Sequence, residues 1–164
     1  MAKPKEVKTN AMRQLDTAGI SYDVHTYDTE DGAIDGESVA RKCGQDPDQV
    51  FKTLVTVGDD RNHYVFAIPV KEKLDLKKAA RAAGVKAVEM IPQKELFPLT
   101  GYIHGGCSPV GMKKQFPTFL DETAVLFDTI CVSGGKVGVQ IEVNPEKLTA
   151  LIGAVMAPLT REEN

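Results

Sequence analysis

The chain has 164 residues, 42% of them hydrophobic and 26% charged, with a net charge of −3. That length suits one core and that balance excludes a disordered chain. The acidic excess argues against gripping nucleic acid by bulk positive charge, and an aromatic content of 6% argues against extensive base stacking.

The longest apolar stretch, residues 150–159, includes Pro158 and is too short for a membrane span, which needs roughly 18 residues. Lys3, Lys5, Lys8 and Arg13 mark the N-terminus without the apolar run of a secretory leader, so a cytoplasmic protein is expected. Cys43, Cys107 and Cys131 are widely separated and form no CxxC pair, which suits reduced thiols.

In chain order, residues 5–18 predict a helix. Val7, Ala11, Met12, Leu15 and Ala18 make one stripe, and Gly19 stands at its C-terminal end. Residues 22–27 alternate as a strand, with Asp23, His25 and Tyr27 on one face. Residues 37–43 predict a short helix closed by Gly44. Asp46-Pro47-Asp48-Gln49 predicts one capped helical turn. Residues 51–57 and 63–70 flank a polar loop and predict a β-hairpin. Asp75 caps a helix ending at Ala83 before Gly84.

Residues 87–90 read as a strand and 92–97 as a short helix. Residues 116–121, 124–127 and 129–133 read as short strands. Gly134-Gly135-Lys136 reads as a tight turn into a strand over 137–143, and Asn144-Pro145 opens a helix to about Ile152. Hairpins with unevenly spaced helices and no βαβ rhythm predict an α+β fold, with residues 1–164 as one domain.

Several motifs fail on inspection. Ser133-Gly134-Gly135-Lys136 resembles a phosphate loop, but Ile130 stands where a glycine is required and Val137 where Ser or Thr is required. Around Ser108 a nucleophile-elbow pattern has its last glycine one place late, and Pro109 fits poorly after the serine. His25, His63 and His104 lack metal-ligand spacing. Cys107 is either a covalent nucleophile or a small residue filling a tight loop; reactivity would require a base or positive field beside it.

What remains is a constellation. Lys52 interrupts the apolar strand VFKTLV, where partial desolvation would sharpen its field, although an edge lysine serves equally to protect a sheet edge. The loop GYIHGGCSPVG at 101–111 brings Gly105, Gly106 and Ser108 together. Its main-chain N–H groups suit an oxyanion nest, or the loop is a plain turn. VSGGKVG at 132–138 adds Ser133 and Gly134, again as a site or as a hairpin. Tyr27 ends the first strand as a phenol donor or as packing. Lys71, Lys73, Lys77, Lys78, Arg81 and Lys86 form a basic cluster that is usually just a solvated face, and Lys113 and Lys114 follow the glycine loop.

ISYDVHTY at 20–27, VFKTLV at 50–55, LDLKKAARAAGVKAVEM at 74–90, GYIHGGCSPVGMKK at 101–114 and VSGGKVGVQIEV at 132–143, in this order, resemble the YbaK/EbsC family of aminoacyl-tRNA editing domains. The resemblance spans about residues 7–155. It implies a compact α+β fold around a mixed, barrel-like sheet surrounded by helices, and removal of a wrong amino acid from tRNA. Within the family the pattern looks most like the freestanding deacylases of Cys-tRNA(Pro), with Cys-tRNA(Cys) as a further substrate. An Ala-tRNA(Pro) deacylase and a non-catalytic tRNA- or nucleotide-binding module are the alternatives.

By resemblance, Lys52 matches the essential lysine, Tyr27 a functional tyrosine, Gly105 a glycine facing the scissile ester, and Ser133 a substrate contact. Gln140 stands where some members carry an aspartate, so no charge is available there. Gly106, Ser108 and Gly134 are expected to contact substrate beside them. The family implies that the substrate's own thiol attacks its ester, with no metal or organic cofactor. It implies as partners the acceptor end of tRNA(Pro) and, transiently, prolyl-tRNA synthetase, but neither membrane nor DNA.

Overall fold

A computed structural model describes residues 8–162. Helix α1 (Asn10–Ala18) begins later than the apolar stripe suggests, because Thr9 caps it by accepting the Met12 N–H at 3.2 Å. The stripe's Val7 lies outside the described residues. Gly19 ends α1 in the left-handed region (φ 72°), as its position predicts. Next come β1 (Tyr22–Thr26), α2 (Gly36–Lys42), and the hairpin of β2 (Phe51–Gly58) and β3 (His63–Pro69). Helix α3 (Leu76–Ala83) is capped by Asp75, whose carboxylate accepts from the N–H groups of Lys77 and Lys78. The chain continues through β4 (Val88–Met90), α4 (Leu96–Thr100), β5 (Thr118–Asp121), β6 (Ile130–Lys136), β7 (Val139–Val143), α5 (Pro145–Ile152) and β8 (Val155–Ala157).

The strands make two sheets. One is antiparallel, in the order β1-β7-β6. The other is mixed, in the order β4-β2-β3-β5-β8, with antiparallel β4/β2 and β2/β3 and parallel β3/β5 and β5/β8. The α+β class and the mixed sheet are as expected, but among the described residues the strands form two separate sheets and no closed barrel. The sheets touch through one parallel bridge, Val50 to Cys131, and then diverge.

Two further expectations change, and one strand is added. Residues 124–127 are not a strand. Asp121 accepts the Thr123 N–H and winds Glu122–Leu126 into a 3₁₀ turn. Gly134-Gly135 is not the hairpin turn but a bulge inside β6, where the register shifts between Ser133 and Lys136; the chain reverses at Val137-Gly138. Strand β8 had no counterpart among the expected elements.

Alternation sets the faces of the three-stranded sheet. Ile130, Val132, Ile141 and Val143 pack on Ala11, Met12 and Leu15 of α1 and Leu148 and Ile152 of α5. Each fully buried aliphatic side chain there contributes ~1.5–3 kcal/mol. The opposite face carries His25, Cys131, Ser133, Gln140 and Glu142. A second core lies under α3, around Phe66, Ile68, Phe119 and Leu159. A third lies under the glycine loop, around Val65, Tyr102, Met112 and Phe116.

Candidate functional site

The site follows from hydrogen-bond parity. In β2/β3, Val70 donates to the Val50 carbonyl and Gly58 to that of Asn62, both at 2.8 Å. Even-numbered residues of β2 therefore turn their peptide groups to β3, and odd-numbered ones turn away. On that far side β4 covers only Thr56–Gly58, with Ile91 donating to the Val55 carbonyl at 3.3 Å. In the other sheet Tyr27 donates to Gly138 at 3.0 Å. Even residues of β7 thus face β1 and odd ones face β6, which leaves Cys131 and Ser133 turned toward β2. Beyond the Val50–Cys131 bridge the two edges part, so the main chain of Thr53 and Ser133 borders a wedge with no strand in it.

That wedge is a cavity of about 490 Å³, a size typical of small-ligand sites. Lys52, Tyr27, Gly105, Ser133 and Gln140 all line it, together with Cys107 and His104. The structure thus brings together five residues drawn from four separated segments. Gly106, Ser108 and Gly134 do not line it. The Gly106 N–H is spent on the Ile103 carbonyl at 2.9 Å. Ser108 is fully buried, and its hydroxyl accepts from the Val110 N–H at 3.3 Å. Gly134 is buried in the bulge, its carbonyl taken by the Thr9 hydroxyl at 2.5 Å. Gly106 and Ser108 are thus held within their own loop and Gly134 by the N-cap of α1, rather than turned to the cavity.

Lys52 is half-buried, and among the described residues its ammonium has no hydrogen bond or ion pair. Burial pulls its pKa below the ordinary 10.5, and the fields of Glu37 and Glu72 partly restore it. Glu37 itself lines the cavity, as do Ile34 and Asp35. Sequence reasoning missed this stretch. Its available signal was Asp35, which caps α2 through the Ser38 N–H (3.1 Å) and hydroxyl (2.6 Å) and is thereby held below the usual carboxylate range.

Cys107 is buried, and its thiol is pushed up to about 12 by the apolar surroundings. It is therefore a neutral thiol at physiological pH, not an activated nucleophile. Cys131 is likewise pushed up to about 12 by burial. The histidines are dispersed: His25 pairs with Glu142 at 2.8 Å, His63 tilts against the Phe116 ring, and His104 stands at the cavity.

Gln140 is 2% exposed. Its Oε1 accepts from Gln45 Nε2 at 2.6 Å, while its own Nε2 and Gln45 Oε1 find no partner among the described residues. The Thr53 hydroxyl, on the same cavity wall, is also buried and unpartnered. Such groups cost ~1–3 kcal/mol each until a ligand or water satisfies them. Unmet donors and acceptors therefore concentrate where the strands part.

Residues 31–151 match the family described as "Aminoacyl-tRNA editing domain". A relative from Enterococcus faecalis, named "Putative Cys-tRNA(Pro)/Cys-tRNA(Cys) deacylase EbsC", is 46% identical over 99% of this chain and 100% of its own length. A proline–tRNA ligase from Shouchella clausii is 28% identical over 62% of this chain, a segment amounting to 18% of the ligase. The crystal structure of "a putative trans-editing enzyme for prolyl tRNA synthetase" superposes with a TM-score of 0.83 at 29% identity, covering 93% of this chain and 96% of that one.

Proposed function

The chain belongs to the aminoacyl-tRNA editing domain family, and on that premise we propose that it is a trans-editing deacylase that cleaves the ester of mischarged Cys-tRNA(Pro), and of Cys-tRNA(Cys). The observation that carries this reading is the half-buried Lys52, without a hydrogen-bond or ion-pair partner among the described residues, sharing one cavity with Gly105, Tyr27 and Ser133. The full-length similarity to the enterococcal relative supports both the activity and the treatment of residues 1–164 as one editing domain.

An aminoacyl ester is already activated, so the site has to hold it and meet the charge that develops on its carbonyl oxygen. Lys52 anchors the terminal ribose or its phosphate. The Gly105 N–H, unengaged among the described residues, donates to the oxyanion. Tyr27 and Ser133 position the nucleoside and the aminoacyl group, and Gln140 offers a neutral amide to it.

The attacking atom comes from the substrate, because the buried neutral Cys107 and the internally bonded Ser108 are unsuited to the role. The cysteinyl sulfur bonds to its own ester carbonyl carbon, and the bond from that carbon to the ribose oxygen breaks. The thiol proton ends on the ribose hydroxyl, and a cyclic thiolactone leaves. Intramolecularity supplies the rate advantage. A transient complex with prolyl-tRNA synthetase belongs to the same proposal. It is supported by the similarity to a ligase segment and to the trans-editing structure.

The test is a deacylation panel of Cys-, Ala- and Pro-tRNA(Pro), each with and without the synthetase, with the released product identified by mass. Cys-tRNA(Pro) should be cleared fastest and Pro-tRNA(Pro) spared. Preferential clearing of Ala-tRNA(Pro), or no clearing at all, overturns the assignment.

A further inference from the structure

The rim of the cavity differs from its wall. Helix α4 begins with Leu96, which lines the cavity, but the next residue, Phe97, is 55% exposed. Ile103, directly before the lining residues His104 and Gly105, is 56% exposed. The Lys113 ammonium lies 5.2 Å from the Phe97 ring centroid, and the Lys114 ammonium, one residue on, lies 5.7 Å from the centroid of the Phe116 ring.

This arrangement is fixed by the main chain. Gly101 N–H donates to the Phe97 carbonyl at 2.8 Å and Lys113 N–H to that of Thr100 at 3.0 Å. The Thr100 hydroxyl closes onto the Leu96 carbonyl at 2.7 Å. The ring is therefore presented to solvent by a braced turn. Residues 91–116 hold three lysines against one carboxylate, Glu95, in a chain whose net charge is −3. An exposed ring with one cation beside it and a second on the following residue, at the mouth of a cavity, matches what a single-stranded nucleic acid needs: a face for a base and positive charge for phosphates.

We propose that Phe97, with Lys113 and Lys114, is the platform that receives the single-stranded 3′ end of the charged tRNA as its terminal nucleotide enters the cavity. A base stacks on the Phe97 ring, and the lysines meet the flanking phosphates. This rests on the deacylase reading and adds to it where the RNA runs outside the cavity. It also explains how an acidic, aromatic-poor chain handles tRNA, through one local platform rather than a basic groove.

The test compares two substrates, Cys-tRNA(Pro) and the cysteinyl ester of adenosine, which occupies the cavity but is too short to reach the platform. Phe97→Ala should raise KM for the charged tRNA about ten-fold with kcat unchanged. Phe97→Trp should restore it, and cleavage of the adenosine ester should stay at the wild-type rate. Replacing Lys113 and Lys114 by Ala should flatten the salt dependence of tRNA affinity, by about 0.7 in log–log slope for each phosphate no longer neutralised. Leu126→Ala, at a 75% exposed apolar residue outside the cavity lining, should change nothing.

Wild-type KM in Phe97→Ala overturns the platform, as does an equal loss on both substrates. A change seen only when synthetase is added also overturns it, because it would make the patch a protein interface. Should the wild-type protein cleave neither substrate, the deacylase reading falls instead. The platform is then judged by fluorescence anisotropy with a labelled single-stranded RNA carrying the tRNA 3′ sequence: about ten-fold weaker binding by Phe97→Ala supports it, and equal binding overturns it.

Discussion

The two glycine-rich segments, residues 101–111 and 133–138, look interchangeable as sequence, yet they do different work. They meet backbone to backbone: a Cβ added to Gly106 would lie 2.9 Å from the Val137 nitrogen and 3.1 Å from the Lys136 carbonyl carbon. Only the first turns a glycine to the cavity, at Gly105. The second uses Gly134 and Gly135 to bulge a strand, and what it brings to the cavity is the side-chain-bearing Ser133. Paired glycines thus mark close approach of main chain, which a ligand site and a packing contact require alike. The open N–H has to be found separately, by asking which one is already spent.

The contrast is broken most severely at Gly106. Gly106→Ala should lower stability by ~2–3 kcal/mol, read as a shifted denaturation midpoint, because rigid backbone meets the new methyl group. Gly105→Ala should separate stability from activity. Its φ of 85° and an approach of 2.7 Å to the flexible tip of Ile34 cost ~1–2 kcal/mol. Deacylation should nevertheless fall about a hundred-fold, as when one oxyanion donor is displaced.

The serines sharpen the same contrast. Ser133→Ala should raise KM for charged tRNA several-fold. Ser108→Ala should leave kinetics unchanged and cost ~1–2 kcal/mol, since it strips the buried Val110 N–H of its acceptor. The smallest effect belongs to Cys107→Ala. It should keep activity within two-fold while losing ~1 kcal/mol of packing; a loss of activity in folded protein would restore the thiol as nucleophile.

Much of this fold is legible in the sequence where local chemistry decides it. Asp75, the Asn144-Pro145 pair, Gly19 and Gly84 set helix ends through caps and left-handed glycines, and each stands where its neighbours require. The elements misread are those settled by distant partners or by one side chain. Val125 and Leu126 look like strand residues, but the Asp121 carboxylate winds them into a turn and leaves both exposed. Strand β8 pairs in parallel with β5, more than thirty residues away in sequence, and so leaves no local signal.

The candidate site divides the same way. Lys52, Tyr27, Gly105, Ser133 and Gln140 line one cavity. Gly106, Ser108 and Gly134 do not, because neighbouring residues in the loop and in the bulged strand β6 face different ways and motif spacing does not record which. The buried link from Gln45 to Gln140 joins residues 95 apart in sequence and leaves no local trace.

Lys52 is the strongest claim, and it carries opposite signs for stability and activity. Burial holds its folded pKa below the unfolded value near 10.5. The charged form is therefore disfavoured by folding at neutral pH, and that penalty fades as pH rises through the lowered pKa toward the unfolded one. Lys52→Met should accordingly melt no lower than wild type at pH 7. The decisive measurement is the single-turnover rate of Cys-tRNA(Pro) deacylation by Lys52→Met beside wild type at that pH. A loss of about a hundred-fold or more in a fully folded protein is expected; a wild-type rate would remove Lys52 from the site.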